Sequence, residues 1–419
     1  MNLKQSRYSS GAPLEDVVGY SRAMSIGPFI FVGGTTSVLP DGSVYGEEDS
    51  YAQMKYILEK QISFVEKAGG TKEDVFSVKC FVTDEYDEKE GAKAYSEIFK
   101  EIKPLFTVIK IESLNRQTQL VEVQMNAIEG CSKGTKWEGI DLSKENFFSG
   151  LPTEKKIGYS QMVKIGPFIY FGGMSAIKSD GSIIGENDST AQDNYIFEKM
   201  TSLLKQAGAT PADVIKIEKY MSADYKKYRI LDKENFYTTI LKPVKPLLTG
   251  VTIAGFSKKE QLIETEIMAV EGCGGKEKLS SWGNLDLRRK NYSSGSPLED
   301  KIGYSRMVTT GPFVYVGGTT SVLPDGSVYG EEDSRSQDNF IFEKEVSLLA
   351  KVGAKVEDIV KIDAYRAPKY KEFLKKDVVN YYEKMLKPIK PLLTGLTISA
   401  LNRPTQMNEI EMLAIKSPK

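Results

Sequence analysis

The sequence predicts an α+β protein made of three tandem copies of one domain-sized unit. One stretch, Gly27-Pro28-Phe29-Ile30-Phe31-Val32-Gly33-Gly34, returns as Gly166-Pro167-Phe168-Ile169-Tyr170-Phe171-Gly172-Gly173 and as Gly311-Pro312-Phe313-Val314-Tyr315-Val316-Gly317-Gly318. Successive copies start 139 and 145 residues apart, too far for a solenoid repeat of roughly 20–50 residues. A chain of 419 residues fits a prior of about three domains. Within each copy, β-branched and aromatic runs alternate with stretches of helical periodicity, in the order β-β-α-β-α-β-β.

Each unit opens on a polar lead: Tyr8-Ser9-Ser10-Gly11, Phe148-Ser149-Gly150 and Tyr292-Ser293-Ser294-Gly295. In the first unit a strand follows through Gly19–Met24, and Gly27-Pro28 suits a reversal. The next strand, Phe29–Thr36, carries Gly33-Gly34, a pair that marks a bulge or a close backbone approach. Pro40-Asp41-Gly42, Ser179-Asp180-Gly181 and Pro324-Asp325-Gly326 are turns. A capping box, Ser50 with Gln53, starts the first helix, and Ser189 with Gln192 and Ser334 with Gln337 repeat it. Ile57, Phe64, Val65 and Ala68 share one face of that helix, and Gly69, Gly208 and Gly353 stand where a left-handed C-cap belongs. Then come a strand at Val75–Thr83, a helix at Asp87–Ile102 ended by Lys103-Pro104, and strands at Phe106–Ser113 and Leu120–Ile128. Double prolines, Pro243 with Pro246 and Pro388 with Pro391, end the second helix in the later units. The repeats are placed at 1–130, 146–273 and 291–419, with linkers at 131–145 and 274–290. Each linker carries one tryptophan, Trp137 or Trp282, expected to pin it to the body. One sheet with both helices on one face leaves its other face to be covered, and three copies closing around a shared axis would cover it.

Composition narrows the chemistry. Lys plus Arg number 56 against 57 Asp plus Glu, so no basic field favours nucleic acid or an anionic membrane. The start lacks the apolar core of a signal peptide, and no apolar run approaches the ~20 residues of a membrane span. Three cysteines without CxxC spacing read as buried thiols in a reducing compartment, so a cytoplasmic protein is expected. There is no histidine, which removes Ser-His-Asp and Cys-His pairs and every His-containing zinc site. No metal and no cofactor is expected. Acid–base work falls to carboxylates, Tyr, Lys, Cys or water.

The motif order resembles the Rid (YjgF-type) family of reactive-intermediate imine deaminases. The matching pieces are Gly19-Tyr20-Ser21-Arg22-Ala23, Val32-Gly33-Gly34, the helix ending in Ala68-Gly69-Gly70, Asp74-Val75, and Val121-Glu122-Val123-Gln124-Met125-Asn126-Ala127-Ile128. The resemblance implies three chorismate-mutase-like repeats closing into a pseudo-threefold trimer with a central β-barrel. It also implies a monomeric chain with small-molecule clefts between its repeats.

Carried over position by position, the resemblance implies a cleft tyrosine at Tyr20, Tyr159 and Tyr304. It implies a water-activating glutamate at Glu122, Glu264 and Glu409, and a backbone that approaches the ligand at Gly34, Gly173 and Gly318. The family's carboxylate-clamping arginine, two residues past the proline, is replaced by Phe106, Leu248 and Leu393. Substitute cations are Arg22 and Arg306, where the middle unit has Gln161, and Arg116 and Arg403 in the last loop. The reading is a small-molecule binder that hydrolyses an imine or related C=N bond. The alternative is a non-catalytic binding or scaffold protein that kept only the fold. The ribonuclease activity attached to some relatives is not expected, given the missing histidine and the absent positive charge.

Overall fold

The computed structural model describes residues 3–229, 235–375 and 378–416, so the outermost ends of the first and third repeats fall outside it. Each unit folds one mixed sheet. Across the first, the strands run Gln5–Tyr8, Ala23–Ile26, Phe29–Thr35, Val121–Ile128, Val75–Val82 and Leu105–Lys110. All neighbours are antiparallel except the last pair, which is parallel. A parallel pair needs a crossover, and Glu88–Phe99 is the helix within it. The other two units repeat this order, with the Gly-Gly strand of the second split into Phe168–Phe171 and Met174–Ser175.

The edge strand Gln5–Tyr8 was not expected, and Gly19–Met24 is strand only from Ala23. Between them lies a short helix, Pro13–Val18. Four residues without apolar alternation give a pattern reading nothing to register, and the lead becomes a strand because Ala23–Ile26 offers it an edge.

The first helix of each unit, Ser50–Lys67, Ser189–Gln206 and Ser334–Lys351, packs an apolar stripe on its sheet. In unit one Met54, Ile57, Leu58, Phe64 and Val65 are fully or almost fully buried there. The expected capping box does not form. Asp49, Asp188 and Asp333 are the N-caps; Asp49, for one, accepts from Ala52 N at 2.9 Å. A carboxylate one residue earlier suits the helix dipole better than a hydroxyl. Gln53 instead ties two loops, donating to Gly46 O at 3.0 Å and Thr118 O at 2.8 Å. Among the described residues, the second helix persists as twelve residues in unit one alone. Its counterparts are the single wide turns Tyr237–Leu241 and Tyr382–Leu386.

The other sheet faces cover one another. Phe29, Phe168 and Phe313, equivalent positions of the three units, meet edge to face with centroids 5.1–5.6 Å apart. Trp137 packs 5.1 Å from Phe29, and Trp282 is fully buried with Nε1 donating to Glu271 O at 3.1 Å. The linker tryptophans therefore plug the shared core. A second shared cluster gathers Phe81, Tyr220 and Tyr365, again equivalent positions. Between the two clusters runs a polar layer in which each unit reaches the next. Lys79 donates to Glu266 at 2.6 Å, Lys216 to Glu411 at 2.8 Å, and Lys361 to Gln124 at 3.0 Å. The sheets also touch through isolated bridges, Leu105 with Ser160, Leu247 with Ser305 and Thr252 with Ala400. They remain separate sheets, and among the described residues no continuous closed barrel forms.

All three thiols, Cys80, Cys131 and Cys273, are free and buried. No helix among the described residues is long and apolar enough to cross a membrane.

Candidate functional site

The predicted residues converge at the three junctions between units. At the junction of units three and one, the Gly33-Gly34 bulge shifts the register between Val32 and Thr35. A Cβ on Gly34 would collide with Glu122 Oε1, so glycine is what lets the carboxyl sit against this backbone. Gly173 with Glu264 and Gly318 with Glu409 repeat the arrangement. The glycine amides are engaged from across the junction. Gly34 N donates to Thr394 Oγ1 at 3.1 Å, Gly173 N to Thr107 Oγ1 at 2.9 Å, and Gly318 N to Thr249 Oγ1 at 2.9 Å. The glycines thus bring space to the site, while their N–H groups hold the neighbouring unit.

Burial drives the three carboxyls upward: Glu122 to about 7 and Glu409 to about 7, each pulled back by Arg22 or Arg306, and Glu264 to about 8. Groups poised near neutrality are suited to move protons at physiological pH. Glu409 Oε2 is buried without a hydrogen-bond partner among the described residues. Gln261 donates to Glu264 Oε2 at 3.1 Å.

Tyr20 is half-buried and its hydroxyl accepts from Arg22 Nη2 at 2.9 Å; Tyr304 and Arg306 repeat the pair at 2.9 Å. Tyr159 differs, bonding Thr153 Oγ1 at 2.7 Å, and burial raises it to about 12. The loop before each tyrosine is clasped by a phenol of the preceding unit. Tyr382 donates to Gly19 O at 2.8 Å, Tyr95 to Gly158 O at 3.2 Å, and Tyr237 to Gly303 O at 2.8 Å. Those glycines have φ of 85°, 89° and 89°, and a Cβ there would run into Lys387, Lys100 or Lys242.

The predicted cations serve the scaffold. Arg22 donates to Gly34 O at 2.7 Å and lies 3.4 Å from the buried Glu15; Arg306 bonds Gly318 O and Glu299 in the same way. Gln161 fills the role in unit two, donating to Gly173 O at 3.2 Å. Arg116 and Arg403 lie beside the Asp-Gly turns, their Nη2 atoms 3.9 and 3.7 Å from a Cβ built on Gly42 and Gly326. Phe106 stacks on Tyr95 at 3.9 Å and lies 6.4 Å from Tyr159, giving that junction an aromatic wall.

One cation was missed. Arg366 ends the Ile359–Arg366 strand, and its Nη1 sits 2.9 Å from a Cβ built on Gly395, two residues past Leu393. Its Cζ lies 4.6 Å from the centroid of the Tyr370 ring. Its Nε is buried without a hydrogen-bond partner among the described residues, and its charge acts on both Glu122 and Tyr382. The equivalent residues are Val82 and Met221, so only the junction of units three and one has this guanidinium. An arginine where two sister repeats are apolar was the available signal. Among the described residues, no group of three or more His, Cys, Asp or Glu is placed to hold a metal ion.

The Endoribonuclease L-PSP family model matches residues 11–129, 153–271 and 296–416. The chain is 28% identical over 124 residues to an uncharacterized protein of Streptomyces coelicolor, covering 30% of this chain and 92% of that protein. It is 30% identical over 125 residues to a RutC family protein of Pyrococcus abyssi, covering 30% of this chain and 95% of the relative. A crystal structure of a YjgF/YER057c/UK114 family member from Mycobacterium tuberculosis matches at 30% identity and TM-score 0.27, covering 30% of this chain and 99% of that one. Each of these relatives thus has the length of one unit. The protein belongs to the Endoribonuclease L-PSP (YjgF/Rid) family, whose unit it carries three times in one chain.

Proposed function

We propose that the three units act as a monomeric, cytoplasmic pseudo-threefold trimer around a β-lined axis, and that it hydrolyses a small carboxylate-bearing imine in the cleft between units three and one. The observation that carries this reading is a buried Glu122 carboxyl, raised to about 7 by burial, with the charge of Arg366 acting on it from across the junction. Glu122 takes a proton from water as the water oxygen bonds to the imine carbon. The nitrogen then accepts a proton and leaves as ammonia, and a carbonyl remains. Arg366 holds the substrate carboxylate in place of the arginine lost at Leu393, since a guanidinium pairs bidentately with a carboxylate. At the other two junctions Val82 and Met221 stand at the position of Arg366, so Glu264 and Glu409 have no such clamp opposite them.

The test is a deaminase assay on freshly generated 2-aminoacrylate. Glu122→Gln abolishes turnover, whereas Glu264→Gln and Glu409→Gln leave most of it. Arg366→Met raises KM about 10–100-fold, the loss of a charge-assisted contact worth ~1.5–3 kcal/mol. kcat/KM rises with pH through about 7, because the base works only when ionised. No acceleration over buffer hydrolysis by folded protein refutes the reading.

A second reading, a binder without turnover, is favoured by one observation: Phe106, Leu248 and Leu393 remove the clamp at its usual position in every unit. Saturable binding of pyruvate without deamination, weakened by Arg366→Met, would select it.

A further inference from the structure

A cavity of about 180 Å³ lies where the three units meet, between the phenylalanine cluster and the lysine–carboxylate layer. Its walls are equivalent positions that have diverged. Phe31, Tyr170 and Tyr315 form one aromatic tier, with the Tyr170 ring 4.5 Å from that of Phe76. In the next tier, unit one has Ser77 and Asn126 where the others have Lys216 with Met268 and Lys361 with Leu413. Small polar side chains on one side open the volume that lysine and methionine or leucine fill on the other two.

The cavity carries unused hydrogen-bonding capacity. Among the described residues, the Tyr170 and Tyr315 hydroxyls and the Ser77 and Asn126 side chains make no hydrogen bond to the protein, and burial keeps both phenols protonated. The charged layer above is satisfied within itself. Lys79 pairs with Glu266 at 2.6 Å, Lys216 with Glu411 at 2.8 Å and Glu218 at 3.4 Å, and Lys361 with Asp363 at 2.8 Å. A charged guest would have to break one of these buried pairs. A neutral guest need not. A cavity of about 150 Å³ lined by apolar side chains is already large enough to hold benzene.

We propose that this axial cavity is a binding site for a neutral, monocyclic aromatic molecule with one hydrogen-bonding substituent, of the phenol class, seated against Ser77 and Asn126. The ring packs on Phe29, Phe76 and Phe313, and its hydroxyl meets the Asn126 amide. The site is independent of the Glu122 junction.

Phenol titrated into the full chain, followed by calorimetry and saturation-transfer NMR, shows one saturable site per chain with Kd of about 0.1–1 mM, the range reached by ligands of this size. Asn126→Met, which installs the residue of unit two, weakens binding at least tenfold. Glu122→Gln leaves it unchanged, so the deaminase reading and this one fail separately. Benzoate, carrying a charge, does not displace the bound phenol. Three sites per chain, no saturation below about 10 mM, or full affinity in folded Asn126→Met overturns the proposal. Should that variant fail to fold, a crystal soaked in phenol decides: density between Phe29 and Tyr170 supports the site, and density only at the junctions or nowhere overturns it.

Discussion

Replacing Glu345 by glutamine should stabilise the protein, and increasingly so as pH rises. Glu345 lies inside the Ser334–Lys351 helix, fully buried, and among the described residues no donor is aligned on either carboxyl oxygen, the Thr319 hydroxyl donating to Gly317 O instead. In unit one the same position is Gln61, whose Nε2 donates to Gly33 O at 3.3 Å and Val123 O at 2.5 Å. A carboxylate facing such carbonyl oxygens is repelled, so the side chain stays protonated. Burial raises its pKa well above the usual 4.5; the nearby Thr319 hydroxyl and the charges of Arg306 and Lys344 oppose this, and Glu411 adds to it. The sign follows from the folded state binding the extra proton. The group's contribution is fully present below about 4.5 and is lost as pH climbs toward the raised value, at up to ~1.4 kcal/mol per pH unit. Glutamine restores donors at any pH, so Glu345→Gln should gain ~1–3 kcal/mol at pH 8 and much less at pH 5. Urea unfolding at both pH values measures this. A gap that does not widen from pH 5 to pH 8, or a variant less stable at pH 8, refutes the reasoning.

Three further outcomes are expected. Lys79→Met strands Glu266, 2.6 Å from the ammonium, and leaves Glu218, 3.7 Å from it, with Lys216 alone; it should cost ~3–5 kcal/mol in urea unfolding, and adding Glu266→Gln should recover part of that. Gly34→Ala drives a Cβ into Glu122 and to 2.8 Å from Thr394 Cγ2, costing ~1–3 kcal/mol, whereas Gly33→Ala, with 3.5 Å of clearance, is tolerated in the same melt. A thiol reagent should find no reactive cysteine in the native protein and all three after unfolding, because burial raises Cys131 and Cys273 to about 12 and Cys80 higher still. Fast labelling of native protein would contradict this.

What could be read in advance was set by local rules. The triplication, the helices and the close approach at Gly34 follow from periodicity and from glycine's missing side chain, and these need no neighbour. The lead strand at Gln5–Tyr8 and the caps at Asp49, Asp188 and Asp333 were hidden. The first depends on an edge supplied by a distant strand, and the second on a competition between adjacent Asp and Ser. Tyr20, Glu122 and Gly34 were placed together by their resemblance to a family. Arg366 was not, because it substitutes in space for a residue on another strand. Lys216, Glu218, Lys361 and Asp363 alternate along their strands as though facing water, and only the packing of three sheets shows them largely enclosed.

The polar layer on the axis also bears on how the chain came to be. Lys79, Glu218 and Asp363 are one position seen three times, as are Gln124, Glu266 and Glu411. Were a single unit to assemble with copies of itself, unit one would set three lysines around the axis with no carboxylate from either position. Copies of unit three would set six acids against three lysines. Copies joined in one chain are always present together, and this lets them drift into complementary partners. Having drifted, no copy can return to independent life: a segment cut from this protein should carry the fold's pattern and still find no self-partner.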